Sequence, residues 1–482
     1  MGIRSSLLFS LSSSYAKIGM QFVASLFVAR LLTPREFGIF SIAMAFIFLA
    51  DTFRNFGIAS YIIQEKELTN TRLNTATGLN ILTSIVMAGV VAALSFPAAA
   101  FYGEDGIQNV MWLLAINFLL LPIGATSMAF MRRELMFKQV AIVQVGSAAT
   151  GSFGAVILAF AGFSYMSLAI SNLLATMVSM LLVWRLKPQD LKIRPCLSEW
   201  RRVMGFGALA TTESIFYEIG NRLPGLMIGR LISLESVAYF DRASSVIELF
   251  KRMVLNSIMS VAMPHFATQV RNNENIANSY LSAITHLSVV GWPFFLLLSL
   301  LSPQLIPTLY GDQWHDAAPL AQLLCLAELS LVPFYLLGQV IIAKGKMGFQ
   351  SLRTLFGVTV RILIIYFLAP FGLLTIAIGL TISSIAIAVM TLPIALHILE
   401  CKLSDFGRAL YPSFKVSIIY SLLVLTVSWL MNKGTYSPLL HLLVISIAST
   451  ICWFFSLWIF KHQTLAEILQ AINHLSRKLR KA

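Results

Sequence analysis

Charged residues, cysteines and histidines are all scarce in this sequence, and each scarcity excludes a class of protein. Asp, Glu, Lys and Arg make up 12% of the 482 residues, about half the share found in soluble domains. This excludes an ordinary soluble enzyme. The four cysteines lie far apart without a CxxC pair, and the seven histidines form no HExxH motif, so we predict no disulfide framework and no metal site. The sequence also lacks a Walker A motif and a Gly-rich dinucleotide fingerprint, and we expect neither enzyme activity nor a cofactor.

Hydrophobic residues, in contrast, make up 57% of the chain and recur in long runs from Leu7 to Phe460. A helix needs about 20 apolar residues to cross the hydrocarbon layer. The sequence therefore predicts an all-α, polytopic membrane protein with about 14 transmembrane helices. Very short breaks at 102–106 and 162–163 predict tight turns. The predicted spans are 7–29, 38–63, 76–101, 107–131, 140–162, 164–184, 204–229, 236–264, 279–301, 316–342, 353–369, 372–398, 413–431 and 438–460.

The net charge of +14 is distributed unevenly over the predicted loops. If the N-terminus is cytoplasmic and the spans alternate, the inner segments hold 24 Lys and Arg residues and the outer segments hold four. Bacterial membrane proteins concentrate positive charge on cytoplasmic loops. The charge therefore predicts a multi-pass membrane protein with both termini cytoplasmic. No nucleic-acid partner is needed to explain it.

An internal repeat divides the predicted spans. The segment 29–33 (ARLLT) reappears as 229–233 (GRLIS), and Gly38, Phe40 and Ala43 correspond to Ala238, Phe240 and Ala243. Six spans separate the copies, so both halves enter the membrane in the same orientation, as in transporters with parallel repeats. We expect two six-helix lobes related by a pseudo-two-fold axis, with the solute path at the lobe interface. The expected domains are an N-lobe at 1–184, a cytoplasmic basic linker at 185–203, a C-lobe at 204–398, two further helices at 399–460, and a cytoplasmic amphipathic basic tail at 461–482.

Ionisable residues occur inside the predicted spans, where lipid exposure costs roughly 2.5–3.5 kcal/mol each. They concentrate on spans 1, 2, 7 and 8, which are equivalent pairs under the repeat. We therefore expect them to line a water-filled cavity. The full set is Lys17, Asp51, Arg54, Glu213, Glu218, Arg222, Asp241, Arg242, Glu248, Lys251, Arg252, Glu328 and Arg361.

The predicted substrate-binding cations are Lys17, Arg54, Arg222, Arg252 and Arg361, and the candidate coupling or cavity acids are Asp51, Glu218, Glu248 and Glu328. Lys17 lies about ten residues into its span, or ~15 Å deep, and is the leading candidate. Helical spacing also allows a structural interpretation, in which Asp51–Arg54, Glu218–Arg222 and Glu248–Arg252 are local ion pairs that only stiffen the packing. Glu328 has no basic residue within one helical turn in the sequence and is a candidate protonatable coupling group.

A cationic cavity attracts an anion, and phosphate is recognised by several Lys and Arg side chains. Polar stripes of Ser, Asn and Gln add hydrogen bonds to hydroxyl groups. A lipid-linked phospho-sugar satisfies these requirements, whereas a cationic drug would be repelled by Lys17 and Arg361. The longest outer loop carries Asp312, His315 and Asp316, which we interpret as a capped loop in preference to a small polar site.

Several motifs resemble those of the bacterial polysaccharide transporters, the Wzx-type flippases of the MOP (multidrug/oligosaccharidyl-lipid/polysaccharide) superfamily. The segment 28–39 (VARLLTPREFGI) resembles the family's opening motif, and 133–137 (RELMF) resembles the motif after the fourth span. The segments 228–243 and 310–320 (YGDQWHDAAPL) are also similar, although 233–235 replaces a Gly-rich turn. The resemblance covers about residues 7–400.

The resemblance implies a two-lobed, MATE/MOP-like flippase of the bacterial cytoplasmic (inner) membrane. It implies that the flippase moves an undecaprenyl-pyrophosphate-linked oligosaccharide by alternating access, driven by an ion gradient. It implies roles in O-antigen, capsule or exopolysaccharide synthesis, with membrane lipid and a lipid-linked oligosaccharide as partners, and a polysaccharide polymerase and chain-length proteins as candidate partners. The alternatives are a peptidoglycan lipid-precursor flippase, a drug/ion antiporter, and a non-transporting scaffold for a polymer-synthesis complex.

Overall fold

The computed structural model describes residues 3–55, 57–188, 194–431 and 436–470, and within these ranges it is helical and contains no strand. The α-helices, numbered in chain order, are α1 (Ile3–Leu31), α2 (Pro34–Asn55), α3 (Ile58–Gln64), α4 (Asn70–Tyr102), α5 (Asp105–Arg133), α6 (Phe137–Phe160), α7 (Met166–Leu186), α8 (Trp200–Leu231), α9 (Leu234–Phe250), α10 (Asn256–Arg271), α11 (Ile276–Tyr310), α12 (Ala317–Leu331), α13 (Leu337–Ala343), α14 (Met347–Leu368), α15 (Leu373–Leu399), α16 (Leu403–Met431) and α17 (Pro438–Ile459).

The all-α membrane class is confirmed. Among the described residues, 11 helical segments are long and apolar enough to cross a membrane, and each coincides with a predicted span. The other three predicted spans, 7–29, 204–229 and 236–264, fall on α1, α8 and the stretch from α9 to α10. These are helical but carry most of the in-span charges, which lower their hydropathy. The count of 14 spans stays a prediction.

The predicted tight turns are present. Helix α4 ends at Tyr102, where Gly103 adopts a left-handed conformation with φ of 68° and donates its N–H to the carbonyl of Ala99. Helix α5 begins only two residues later, at Asp105. Gly162, with φ of 83°, similarly lies between α6 and α7. Glycine carries no Cβ that would oppose this conformation, which is why it ends these helices.

The described chain divides into two compact units, residues 1–241 (unit 1) and 242–482 (unit 2), with the division inside α9. In unit 1, α4 packs with α5, α6 packs with α7 and α1, and α8 packs with α2 and α4. Small residues permit close approach: a Cβ added to Gly154 of α6 would lie 3.4 Å from the Cβ of Ser171 on α7. The predicted lobes at 1–184 and 204–398, and the repeat that relates them, stay predictions.

The described part of the predicted linker lies against α4. The backbone N–H groups of Arg194 and Cys196 donate to the side chain and the carbonyl of Asn74, at 2.8 and 3.2 Å. A Cβ on Gly78 would lie 2.1 Å from the Cys196 carbonyl oxygen, so only glycine allows this approach. Residues 189–193 of the predicted linker lie outside the described ranges.

In unit 2, the long helix α11 packs against α12, α16 and α17. The Trp453 indole of α17 donates to the Val289 carbonyl at 2.8 Å. Residues 463–470 are helical and are held to α11 by Thr464, whose hydroxyl lies 2.7 Å from Nδ1 of His286. The rest of the predicted amphipathic tail, 471–482, lies outside the described residues.

Candidate functional site

The charged residues of α2 form a buried network in unit 1. Arg54 is only 4% exposed, and its guanidinium donates to Asp51 at 2.8 Å, to Asn55 at 2.9 Å and to Asn80 of α4 at 3.0 Å. Asn55 donates in turn to the second carboxylate oxygen of Asp51. The predicted Asp51–Arg54 pair is therefore formed, and the buried guanidinium is engaged by three acceptors. This arrangement favours a structural role for Arg54 over direct substrate contact.

The second predicted pair lies on α8. Arg222 donates to Glu218 at 2.7 Å, and its guanidinium carbon lies 4.0 Å from the centre of the Phe48 ring on α2. The Arg222 side chain is 37% exposed, in contrast to the buried Arg54. Arg222 is thus oriented by a carboxylate and an aromatic face while part of its guanidinium stays accessible to an anion.

The remaining predicted cations lie on other helices. Lys17 is half-buried on α1, Arg361 is half-buried on α14, and Arg252 is exposed immediately after α9. The side chain of Glu213, a further in-span acid, lies outside the described set.

Unit 2 contains an ion pair that sequence spacing did not reveal. Lys251 lies 3.1 Å from Glu328 of α12 and 3.7 Å from Glu248 of α9. The hydroxyl of Tyr335 donates to the other Glu328 oxygen. Glu328, expected to lack a local partner, is therefore held by a lysine 77 residues away in sequence. Glu248, expected to face Arg252, lies beside Lys251.

This ion pair coincides with interruptions in two helices. Lys251 begins a π-helical turn, Lys251–Leu255, between α9 and α10, and a 3-10 turn, Val332–Phe334, separates α12 from α13. Pro333 cannot donate to the carbonyl of Leu329, and the Trp292 indole donates to that carbonyl instead, at 2.8 Å. Such interruptions are frequent at functional sites and at the binding sites of transporters.

An arginine of the segment 228–243 packs against two aromatic rings of the segment 310–320. The guanidinium carbon of Arg242 lies 4.4 Å from the ring centre of Tyr310 and 4.6 Å from that of Trp314. Trp314 is fully buried. In the same loop, the side chains of His315 and Asp316 are more than 70% exposed, consistent with a surface loop. Two of the segments that carry the family resemblance are therefore in contact in the structure.

A second ion network, which sequence reasoning missed, ties the start of α8 to the end of α3 and the first turn of α4. Glu65, just after α3, lies 3.2 Å from Arg202 and 3.5 Å from Arg72. Arg72 also pairs with Glu199 at 3.2 Å. Burial raises the pKa of Glu65, but the two arginines and the Tyr61 hydroxyl outweigh it, so the pKa is lowered overall. The partners are up to 137 residues apart, which is why spacing gave no signal.

Two glycines of the repeated motifs bring α2 close to α8 and α9. A Cβ on Gly38 would lie 2.1 Å from the Leu234 carbonyl oxygen, and one on Gly229 would lie 2.7 Å from the Ile42 side chain. The Tyr102 hydroxyl donates to the Leu226 carbonyl at 3.0 Å along the same contact. The segments that appear as a repeat in the sequence are therefore packed against each other in unit 1.

No group of three or more His, Cys, Asp or Glu side chains among the described residues is arranged to hold a metal ion.

Comparison with known proteins gives the chain a family and a fold. Residues 27–319 match the family described as polysaccharide biosynthesis protein. The chain is 25% identical to the lipopolysaccharide biosynthesis protein WzxC of Escherichia coli over 68% of each chain. It is 23% identical to the teichuronic acid biosynthesis protein TuaB of Bacillus subtilis over 86% of each chain. It is 24% identical to the succinoglycan biosynthesis transport protein ExoT of Rhizobium meliloti over 67% of this chain and 66% of that protein.

Among solved structures, the lipid II flippase MurJ in an inward closed conformation matches with a TM-score of 0.76 and 12% identity, over 95% of this chain and 100% of MurJ. An inward-facing multidrug resistance MATE transporter of the MOP superfamily matches with a TM-score of 0.61 and 14% identity, over 82% of this chain and 98% of the transporter. The fold is thus that of MOP-superfamily transporters. Since the family model covers more than half of the sequence, the chain belongs to the polysaccharide biosynthesis protein family, as its motifs predicted.

Proposed function

We propose that this protein flips a lipid-linked oligosaccharide, an undecaprenyl-pyrophosphate-linked repeat unit, from the cytoplasmic to the outer leaflet of the bacterial inner membrane. The movement would proceed by alternating access and serve the synthesis of O-antigen, capsule or exopolysaccharide. The family, which is one of polysaccharide biosynthesis, and the transporter fold support this proposal. A polymerase and chain-length proteins would act on the product.

The observation that carries the proposal is the presence of partly accessible fixed cations within helices of a membrane protein. Arg222 is 37% exposed, Arg252 is exposed, and Lys17 and Arg361 are half-buried. Exposure to hydrocarbon would cost about 2.5–3.5 kcal/mol for each, whereas exposure to a water-filled path costs far less. Such a path, lined by cations, suits a pyrophosphate whose lipid tail stays in the bilayer.

The proposed roles differ among the predicted residues. Lys17, Arg222, Arg252 and Arg361 would offset the desolvation of the pyrophosphate. Arg54, Asp51 and Glu218 would hold the polar faces of α2 and α8 in place, since their pairs are satisfied locally. Glu248 and Glu328 would act as cavity or coupling acids.

The test is transport in proteoliposomes that contain the purified full-length protein and a fluorescent undecaprenyl-pyrophosphate-linked sugar. We expect wild-type protein to expose the label to an external quencher. Lys17→Ala, Arg222→Ala and Arg361→Ala should each slow this about tenfold or more at equal protein levels. Arg408→Ala, which removes a side chain that is 81% exposed, should have no effect.

Each alternative predicts a different outcome. A scaffold would move no labelled lipid. A peptidoglycan-precursor flippase would move a lipid II probe but not other sugar lipids. A drug antiporter would move a cationic dye. Wild-type rates in Lys17→Ala would remove Lys17 from the site.

A further inference from the structure

The ion pair between Lys251 and Glu328 has the features of a built site in unit 2. The Glu328 side chain is 12% exposed, and that of Lys251 is 31% exposed. Both oxygens of the Glu328 carboxylate are engaged, one by Lys251 and one by Tyr335. The carboxylate is therefore fixed, whereas the lysine retains an accessible face.

The backbone at this position is supported in its interrupted form. The Trp292 indole satisfies the carbonyl freed by Pro333, and the Tyr280 hydroxyl donates to the carbonyl of Pro333 itself at 2.8 Å. Both donors lie on α11 and are directed at the break between α12 and α13. On the other helix, the π-helical turn starts at Lys251. The ion pair thus joins two helices that are both interrupted close to it. An ion pair that only stiffened the packing would not require these interruptions.

The charges around Lys251 are balanced. Glu248 on α9 and Glu328 on α12 carry negative charge, and Lys251 and Arg361 of α14 carry positive charge, with Arg361 close enough to repel the lysine. Cys325 and Tyr335 are the other titratable groups that face Glu328. An incoming pyrophosphate would compete with the carboxylates for the ammonium group. If Lys251 moved away, Glu328 would remain largely buried with an uncompensated negative charge. A carboxylate in that situation takes up a proton.

We propose that Lys251 is a pyrophosphate contact in unit 2 and exchanges between Glu328 and the substrate, so that substrate binding is coupled to uptake of one proton by Glu328. The ammonium group exchanges one oxygen acceptor for another, and the carboxylate takes its proton from the aqueous phase. Glu248, with a side chain 48% exposed, stays solvated and needs no proton. This inference rests on the proposed function, because it assumes a pyrophosphate substrate.

The experiment is calorimetric titration of the purified full-length protein in detergent with farnesyl pyrophosphate. Measurements in two buffers of different ionisation enthalpy give the number of protons taken up. For wild-type protein we expect net uptake relative to the Glu328→Gln variant. We also expect affinity to gain more between pH 8 and pH 6 for wild type than for Glu328→Gln, because lower pH favours the proton-bound complex. Ionisation of the probe is common to all variants and cancels in the comparison.

The variants separate the roles. Glu328→Gln should bind at least as tightly as wild type without the additional uptake, because Lys251 is already released. Lys251→Met should bind about tenfold or more weakly, the range expected for one charge-assisted hydrogen bond. If Lys251→Met does not fold, the neutral pair Lys251→Met with Glu328→Gln replaces it, and we expect weak binding without uptake. Lys344→Met is the matched control, since Lys344 forms a similar pair with Glu400 at 3.0 Å near the inner ends of α13 and α15.

Unchanged affinity in Lys251→Met, or unchanged proton uptake in Glu328→Gln, would overturn this inference alone and make the pair a structural brace. If wild-type protein binds no farnesyl pyrophosphate and moves no labelled lipid in the transport assay, the proposed function fails, and this inference fails with it.

Discussion

At the scale of single residues, two arginines that look equivalent in the sequence have different surroundings. Arg54 and Arg222 each pair with a carboxylate on their own helix, but Arg54 is buried and donates to two further amides, whereas Arg222 is partly exposed. Removal of the Arg54 side chain would take the guanidinium donor from the buried Asn80 oxygen, and an unsatisfied buried acceptor costs about 1–3 kcal/mol. The Asp51 side chain is 35% exposed, so water can solvate its carboxylate. An exposed pair contributes only about 0–1 kcal/mol.

We therefore expect Arg54→Met to lower the free energy of unfolding by about 1–3 kcal/mol and Arg222→Met to change it by less than about 1 kcal/mol. Transport should show the opposite pattern, with Arg222→Met stable but slowed about tenfold or more, as predicted above for Arg222→Ala. Thermal unfolding in detergent, together with the proteoliposome assay, measures both effects. Equal stability of the two variants would contradict the distinction between a structural and a substrate-facing arginine.

The lowered pKa of Glu65 leads to a prediction about how the stability of the fold depends on pH. Its pKa is lowered in the folded protein, since the opposing effect of burial is outweighed by Arg202, Arg72 and the Tyr61 hydroxyl. A carboxylate with a lowered pKa stabilises the fold above its ordinary value of 4.5 and loses this contribution as the pH falls through its folded value.

The melting temperature of wild-type protein should accordingly fall more than that of Glu65→Gln as the pH drops from about 5 to below the folded pKa of Glu65, and the two should converge only below that pKa. A Glu65→Gln variant with the full acid sensitivity of wild type would assign that sensitivity to other carboxylates.

The ion pairs divide clearly into those that sequence could and could not predict. Asp51–Arg54 and Glu218–Arg222 are separated by three and four residues, so helical geometry alone predicts them. Lys251–Glu328 and Glu65–Arg202 depend on which helices become neighbours, and a single sequence does not contain that information. Glu248 shows the limit of prediction from spacing. Helical spacing paired it with Arg252, but a π-helical turn begins at Lys251, directly after α9, and Glu248 lies beside Lys251 instead. This turn has no local sequence signal.

At the scale of helices, glycine explains both the ends and the contacts of the elements. Gly103 and Gly162 made the tight turns predictable from sequence. Gly38 serves a different purpose that sequence did not reveal, since it lets α2 approach the first residue of α9. The break between α12 and α13 was missed as well, although Pro333 lies within the predicted span 316–342, because proline in a membrane helix is often tolerated.

The contact at Gly38 can be tested with a matched glycine. A Cβ at this position would lie 2.1 Å from a backbone oxygen, whereas a Cβ on Gly19 of α1 would meet nothing within 4 Å. Overpacking typically costs about 1–3 kcal/mol. The contacted oxygen belongs to the backbone of Leu234, at the start of α9, which cannot move aside as a flexible side chain could.

We expect Gly38→Ala to lower the melting temperature in detergent and Gly19→Ala to preserve or slightly raise it, because alanine favours helix. If both variants melt as wild type does, α2 and α9 are not held at this distance.

At the scale of the whole molecule, contacts within each unit agree with alternating membrane crossing. Arg35 pairs with Glu104 at 2.8 Å, and alternation places the loops of both on the outer side. Lys344 pairs with Glu400, and alternation places both inside. The orientation itself comes from the bias of Lys and Arg in the sequence.

Cysteine labelling tests that orientation, and two native thiols, Cys196 and Cys401, can serve as reporters of the cytoplasmic side. In the predicted topology Cys196 and Cys401 are cytoplasmic, whereas His315, with a side chain 78% exposed, lies outside. A membrane-impermeant maleimide should therefore label His315→Cys in intact spheroplasts, and Cys196 and Cys401 only after permeabilisation.

The two inner thiols should also react at different rates. Hydrogen bonds from Thr75 and Ser198 lower the pKa of Cys196, whereas burial raises that of Cys401, and the thiolate is the reactive form. Cys196 should be labelled first at neutral pH, and Cys196→Ser should remove the fast phase. If Cys196 is labelled in intact spheroplasts and His315→Cys only after permeabilisation, the topology is the inverse of the predicted one. The basic linker would then face outward, and the proposed direction of lipid movement would have to be reversed.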